Sequence, residues 1–235
     1  MTESWRPAAD AVAAQLRTIF GSRLRSLVAY GPCIDGVNAP LTCLALVDSL
    51  TVADLDACAA RAGDWRRTRI ATPLLLPLTE FERSLDAFPL EYGEILRAHR
   101  TVYGEDLLST ATIDADDLRR ACESQVKSHL LHLRQTYVEA GGRPAAIADL
   151  VMASAPAFSA LLRNVARLSG VHSSSRMDAT LQGARTAGLS ERLIADVVAL
   201  EHPAGLPTSD SARLYPEYLA AVEHLAEVVD GWRAP

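Results

Sequence analysis

The spacing of apolar residues changes once along this chain, near residue 112, and that change limits the folds open to it. Before it, short apolar runs alternate with turn formers. Leu24-Arg-Ser-Leu-Val-Ala-Tyr30 is followed by Gly31-Pro32 and Asp35-Gly36, and then by the run from Leu41 to Val47. These read as two strands joined by a loop, the second apolar enough to be buried on both faces. Val12, Leu16 and Ile19 at helical spacing, with Gly21 behind them, predict a helix over 5–21. A second helix is predicted over 51–64, with Thr51 or Ser49 as its cap. Leu74-Leu-Leu76 stands between Pro73 and Pro77, which confines it to an edge or to a short bracketed strand. Thr79, with Glu82 in the capping-box position, predicts a short helix to Leu85, and Phe88-Pro-Leu-Glu-Tyr92 predicts the start of another strand.

After the change, nothing reads as a strand. Asp114-Ala-Asp-Asp117 is an acidic helix start, favourable at the positive end of the macrodipole. Leu118, Cys122, Val126, Leu130, Leu133 and Tyr137 then recur every three or four residues until Gly141-Gly142. Pro144 suits a first helical position, and Pro156 is expected to kink or divide the helix that follows. Further helices are predicted over 176–187, 190–200 and 211–232. The expected fold class is therefore α+β, with a small mixed-sheet domain over 1–111 and an all-α helical bundle over 112–235.

Charge and cysteine usage narrow the function classes. The 235 residues carry 23 Lys+Arg against 29 Asp+Glu, a net charge of −6. Non-specific nucleic-acid binding draws on a basic surface, so a nucleic-acid partner is not expected. The only dense basic segment is Arg61, Arg66, Arg67 and Arg69, read either as a solvated helix C-terminus or as a phosphate or RNA contact with Trp65 as a stacking ring. Cys33, Cys43, Cys58 and Cys122 form no Cys-x-x-Cys pair and read as buried free thiols. The N-terminus lacks a signal-peptide pattern, and no apolar run approaches the roughly 20 residues of a membrane span. A cytoplasmic protein without a membrane partner is expected.

The strand, Tyr30-Gly31, a loop of about ten residues and a second apolar strand resemble the opening of the nucleotidyltransferase superfamily. Phe88-Pro-Leu-Glu-Tyr-Gly-Glu-Ile95 and Val102-Tyr-Gly-Glu-Asp-Leu107 are similar to a phrase found in bacterial members. The resemblance implies a small mixed sheet followed by a helical domain, and a nucleotide pocket at Tyr30, Gly31, Pro32, Leu41, Cys43 and Glu91. In active members Gly-Gly or Gly-Ser after the first strand offers amides to a triphosphate, and an Asp-h-Asp or Asp-h-Glu pair on the second strand holds two Mg²⁺. Here the glycine pair reads Gly31-Pro32, and proline has no amide to give. The carboxylate positions fall on Leu41 and Cys43, neither of which is a hard oxygen ligand. Glu91 resembles the third carboxylate that some members carry on a later strand, but one acid does not assemble a two-metal site.

No catalytic or metal-binding residue is therefore assigned. His129 and His132, one helical turn apart, read as a boundary pair packing against the sheet domain rather than as zinc ligands. Arg163-Asn164 with His172 has the wrong spacing for the arginine–histidine ribonuclease motif of helical domains that accompany nucleotidyltransferases. The expected function is a non-catalytic, nucleotidyltransferase-like binding or regulatory module in a bacterial cytosol, with a small molecule or a protein as partner. One alternative is an active Mg²⁺-dependent enzyme transferring a nucleotidyl group from an NTP to a small molecule or protein. The other is a structural or interaction protein that homodimerises through its helical domain; the amphipathic last helix is read first as core packing.

Overall fold

In the computed structural model, residues 4–171, 173, 175–200 and 208–232 are described. The chain divides into two compact units, Met1–Ile113 and Asp114–Pro235. The first is mixed α+β, and every regular element among the described residues of the second is a helix.

The first unit runs α1 (Arg6–Phe20), a 3-10 turn (Gly21–Arg23), β1 (Leu24–Tyr30), β2 (Thr42–Val47), α2 (Val52–Ala59), α3 (Ala62–Arg67), β3 (Leu74–Pro77), α4 (Leu78–Arg83), α5 (Pro89–Arg97) and β4 (His99–Gly104). The four strands lie in the order β3-β2-β1-β4. β1 is antiparallel to β2 and β4, whereas β2 and β3 are parallel, so the sheet is mixed. The short β3 forms one edge, where a proline at either side removes a ladder donor. On the other edge, the Arg6 guanidinium donates to the Thr101 carbonyl of β4 at 3.2 Å.

Strand periodicity sorts the central residues onto two faces. Leu27 and Ala29 of β1, with Cys43, Ala45 and Val47 of β2, pack against Val12, Leu16 and Phe20 of α1 and against Cys58 and Trp65. Val28, Leu44 and Leu46 point the other way, onto Phe81 of α4, Tyr92 and Ile95 of α5, and Leu108. An irregularity between Leu24 and Ser26 returns Leu24 to the α1 face, as one extra residue does in a bulged strand.

Two local expectations are corrected. Phe88–Tyr92 does not begin a strand: Pro89 occupies the first turn of α5, where its missing N–H is no loss. Thr79 does not cap α4, which starts at Leu78 after Pro77 with no side-chain cap. Thr51 does cap α2, and its side chain and that of Asp54 form a reciprocal capping box.

The second unit contains α6 (Ala115–Ala140), α7 (Pro144–Leu168), α8 (Arg176–Thr186), α9 (Glu191–Ala199) and α10 (Thr208–Asp230). Asp114 caps α6 by accepting from the Asp116 and Asp117 amides, and Gly141 ends it in the left-handed conformation. α7 is the central element, packed on by α6, α8, α9 and α10. Pro156 lies inside α7 without dividing it. By length and composition α7 could cross a membrane, which the short uninterrupted apolar runs did not suggest. Here its buried side chains, Phe158, Leu161 and Leu162 among them, serve the core of this unit. Gly183 of α8 sits on the Leu162 backbone so closely that a Cβ would stand 1.8 Å from the carbonyl oxygen.

Candidate functional site

Of the six positions that the resemblance assigns to a nucleotide pocket, Tyr30 ends β1, Gly31 and Pro32 follow it, Leu41 and Cys43 share one buried cluster, and Glu91 lies apart on α5. Leu41 and Cys43 are 2% and 1% exposed and lie within the apolar cluster under α1. Tyr30 packs against the cluster on the opposite face. Gly31 and Pro32 are half-buried in the following loop, and Glu91 is exposed on α5. Glu91 is thus a helical residue, not one on a later strand.

The loop itself is a closed turn. The amides of Ile34, Asp35, Gly36 and Val37 donate to the carbonyls of Gly31, Pro32, Cys33 and Pro32 at 3.0–3.2 Å. These donors are spent within the loop, which leaves fewer to cradle a phosphate. Gly31 is obligatory at its position. Its φ is +81°, and a Cβ there would lie 2.8 Å from the Thr42 hydroxyl, which donates to the Tyr30 carbonyl.

Burial sets the chemistry of the two functional groups nearest this loop. It pushes the Cys43 thiol up to about 12, with Cys33 adding to the shift, so Cys43 is a neutral thiol at physiological pH. Burial, and secondarily Cys43, also raises the Tyr30 phenol above its ordinary value. A buried neutral thiol beside a leucine offers nothing to Mg²⁺, which takes carboxylate and water oxygens. These positions do not fit the metal pair implied by the resemblance.

Two constellations here were missed in the sequence. Asp35 of the loop and Glu94 of α5 converge on Arg97, whose side chain is 6% exposed, with nitrogen–oxygen separations of 3.8 and 3.9 Å. The guanidinium draws both acids into an internal ion cluster. Thr42, Tyr30 and His99 stand directly across from one another on β2, β1 and β4, forming a cross-strand row on the α4–α5 face. His99 directs Nδ1 at the Ile95 carbonyl, 3.1 Å away, and Nε2 at Asp106, 3.0 Å away. Both ring nitrogens are engaged, which holds the ring in place. The ligands of Arg97 lie far apart in sequence, and a His and an Asp seven residues apart make no motif.

The remaining candidates divide. Trp65 is 1% exposed and donates to Gln15 at 2.6 Å, so it offers no stacking ring. Arg66 and Arg67 occupy the last turn of α3, the favourable end of the dipole. His129 and His132 diverge. His132 is exposed and bonds the Ser128 carbonyl, whereas His129 packs on Phe158 and meets the Tyr218 hydroxyl at 2.9 Å. The partners of His129 are thus α7 and α10 of its own unit. Burial, with His132 nearby, lowers His129 to about 4. Arg163 and Asn164 are buried on α7, and His172 lies outside the described residues. Among the described residues no three His, Cys, Asp or Glu side chains gather as a metal site would require. No protein-family model matches this chain, and no curated protein matches it.

Proposed function

We propose that this chain is a binding or regulatory module on a nucleotidyltransferase-like fold that has lost catalysis and works in a bacterial cytosol. The observation that carries the reading is the content of β2 and of Leu41, the residue just before it. Residues i and i+2 on a strand share a face, so a metal-holding pair there has two registers. One register is Leu41 and Cys43, sealed beneath α1. The other is Thr42 and Leu44, on the face of Tyr30. Neither contains a carboxylate. Two acids, Asp35 of the loop and Glu94 of α5, are drawn to Arg97 instead. A mixed sheet followed by a helical unit agrees with the architecture that the resemblance implies. Phosphoryl-type transfer depends on charge stabilisation that hydrocarbon and a neutral thiol do not supply.

The test is a pyrophosphate-release assay on the full chain with each NTP and Mg²⁺ over a panel of small-molecule and protein acceptors. No turnover is expected. Turnover that disappears in Glu91→Ala would establish the enzyme reading instead.

A further inference from the structure

We infer that the cavity between the end of α1 and β4 is a binding site for a free amino acid, with the carboxylate on Arg17 and the ammonium at the carbonyl end of α1. The inference goes beyond the reading above and does not draw on it. The cavity lies on the α1 face of the sheet, where Tyr103 and Gly104 stand across from Leu27 and Ser26, whereas Tyr30 ends β1 on the other face.

Among the described residues, three guanidinium groups sit over aromatic rings: Arg6 over Trp5, Arg17 over Tyr103 and Arg23 over Phe20. Two of them have their N–H groups engaged. Arg6 donates to Asp10 and to the Thr101 carbonyl, and Arg23 donates to Asp54. Arg17, 5.1 Å from the Tyr103 centroid, has no acid or carbonyl partner among the described residues. A ring beneath a guanidinium restrains it and leaves its planar fork for a carboxylate, which takes two parallel N–H bonds. Arg17 is thus held in place but not paired.

The space beside it is a cavity of about 480 Å³, in the range of small-molecule sites, lined by Ala14, Arg17, Thr18, Gly21, Ser22 and Tyr103. None of the six is acidic, so a ligand carboxylate meets no competitor for the guanidinium. The cavity also has a negative end. Thr18 lies in the last turn of α1 and Gly21 caps it, where the terminal carbonyls carry the partial negative charge of the macrodipole. The Thr18 hydroxyl already donates to the Ala14 carbonyl at 3.0 Å, so toward the cavity it can only accept. An ammonium supplies that hydrogen, and the Ser22 and Tyr103 hydroxyls can serve either group. One cation beside a negative helix end fits a zwitterion better than a phosphate dianion, which the helix end repels. The cavity of about 600 Å³ in the helical unit lacks this asymmetry. There Asp196, Asp210 and Glu217 stand beside Arg192 and Arg213, and Arg213 is paired with Asp210.

The experiment is calorimetric titration of the full chain with each proteinogenic amino acid in turn, without NTP. At least one should bind with a Kd below about 1 mM. Its N-acetyl derivative, which lacks the ammonium, and its amide, which lacks the carboxylate, should each bind at least about tenfold more weakly. Arg17→Lys keeps a cation over Tyr103 but loses the fork, and should weaken binding at least about tenfold at an unchanged unfolding temperature. Thr18→Val, which removes the acceptor, should weaken it about threefold or more. Arg25→Ala, which breaks an exposed pair with Asp48 on β2, should change it less than about twofold. Failure of every amino acid to bind, full affinity in Arg17→Lys, or a blocked derivative that binds as tightly as its parent would each overturn the inference. Inorganic phosphate binding at Arg17 more tightly than any amino acid would overturn it too. None of these outcomes bears on NTP turnover, so the non-catalytic reading stands or falls separately, on its own assay.

Discussion

The two faces of the sheet take alternate residues of the same strands and end in different chemistry. Under α1, Cys43, Ala45 and Val47 continue an apolar surface out to Leu41, and the buried ring of Trp65 closes it. Under α4 and α5, Val28, Leu44 and Leu46 are equally apolar, but the face finishes in the row Thr42, Tyr30 and His99. A single-residue change of register on β2 thus separates a sealed core position from a half-buried polar one. A charged group should cost less on the second.

The largest effect should come from placing a carboxylate on each face in turn. Cys43→Asp buries an acid among hydrocarbon and should destabilise the fold by about 4 kcal/mol or more. Thr42→Asp, half-buried at the polar end, sets an acceptor-only carboxylate where the Thr42 hydroxyl donated to the Tyr30 carbonyl and should lose about 2 kcal/mol, well short of the Cys43 variant. Urea unfolding of both variants measures the contrast, and equal losses would break it.

The helical unit has a sealed interior too, and one of its residues titrates. His129 is lowered to about 4 in the fold, against about 6.5 in an unfolded chain. Between those values the unfolded state binds more protons, so stability falls as pH drops from 6.5 to 4 and levels off below. The full change is about 3 kcal/mol. His129→Phe should flatten the unfolding free energy of this unit across that window. An unchanged slope would show that His129 is not the group responsible.

A smaller effect belongs to the rim of the α1 face. Arg23 grips Asp54 with two bonds of 2.7 and 2.8 Å, and Asp54 also completes the α2 capping box. The guanidinium and the Thr51 hydroxyl hold its carboxyl well below the usual range. This stabilisation is present above the unfolded value near 4 and is lost as pH falls below it. Asp54→Ala should cost at least the roughly 1 kcal/mol of the cap. Asp48→Ala, which breaks the exposed pair with Arg25, should fall near zero in the same urea series.

Much of this fold was legible because local signals and tertiary packing agreed. The apolar runs at 24–30 and 41–47, the proline-bracketed edge strand, the acidic helix start at Asp114–Asp117 and the Gly141 stop all carry their information in neighbouring residues. β4 was not legible. His99–Gly104 is a half-exposed edge, and only Val102 and Tyr103 hint at a strand. Phe88–Tyr92 misled because Pro89 fits a helix start as readily as an extended segment. At the candidate site, periodicity showed that Leu41 and Cys43 share a face. It did not show that this face is the one α1 covers, because that depends on which helices fold back over which side. The convergence of Asp35 and Glu94 on Arg97 is likewise a product of topology and has no signature in spacing.

The most direct test of the central claim is the Mg²⁺ dependence of NTP affinity, measured by calorimetry on the full chain with Mg²⁺ and then with a chelator. An active two-metal site binds NTP more tightly with its metal, because the ions bridge protein carboxylates and phosphate oxygens. With Leu41 and Cys43 sealed beneath α1, and Thr42 and Leu44 on the other register, these four positions offer no carboxylate for such a bridge. The account predicts that Mg²⁺ leaves NTP affinity unchanged or weaker. A tenfold or greater tightening by Mg²⁺ that is lost in Glu91→Ala would contradict it.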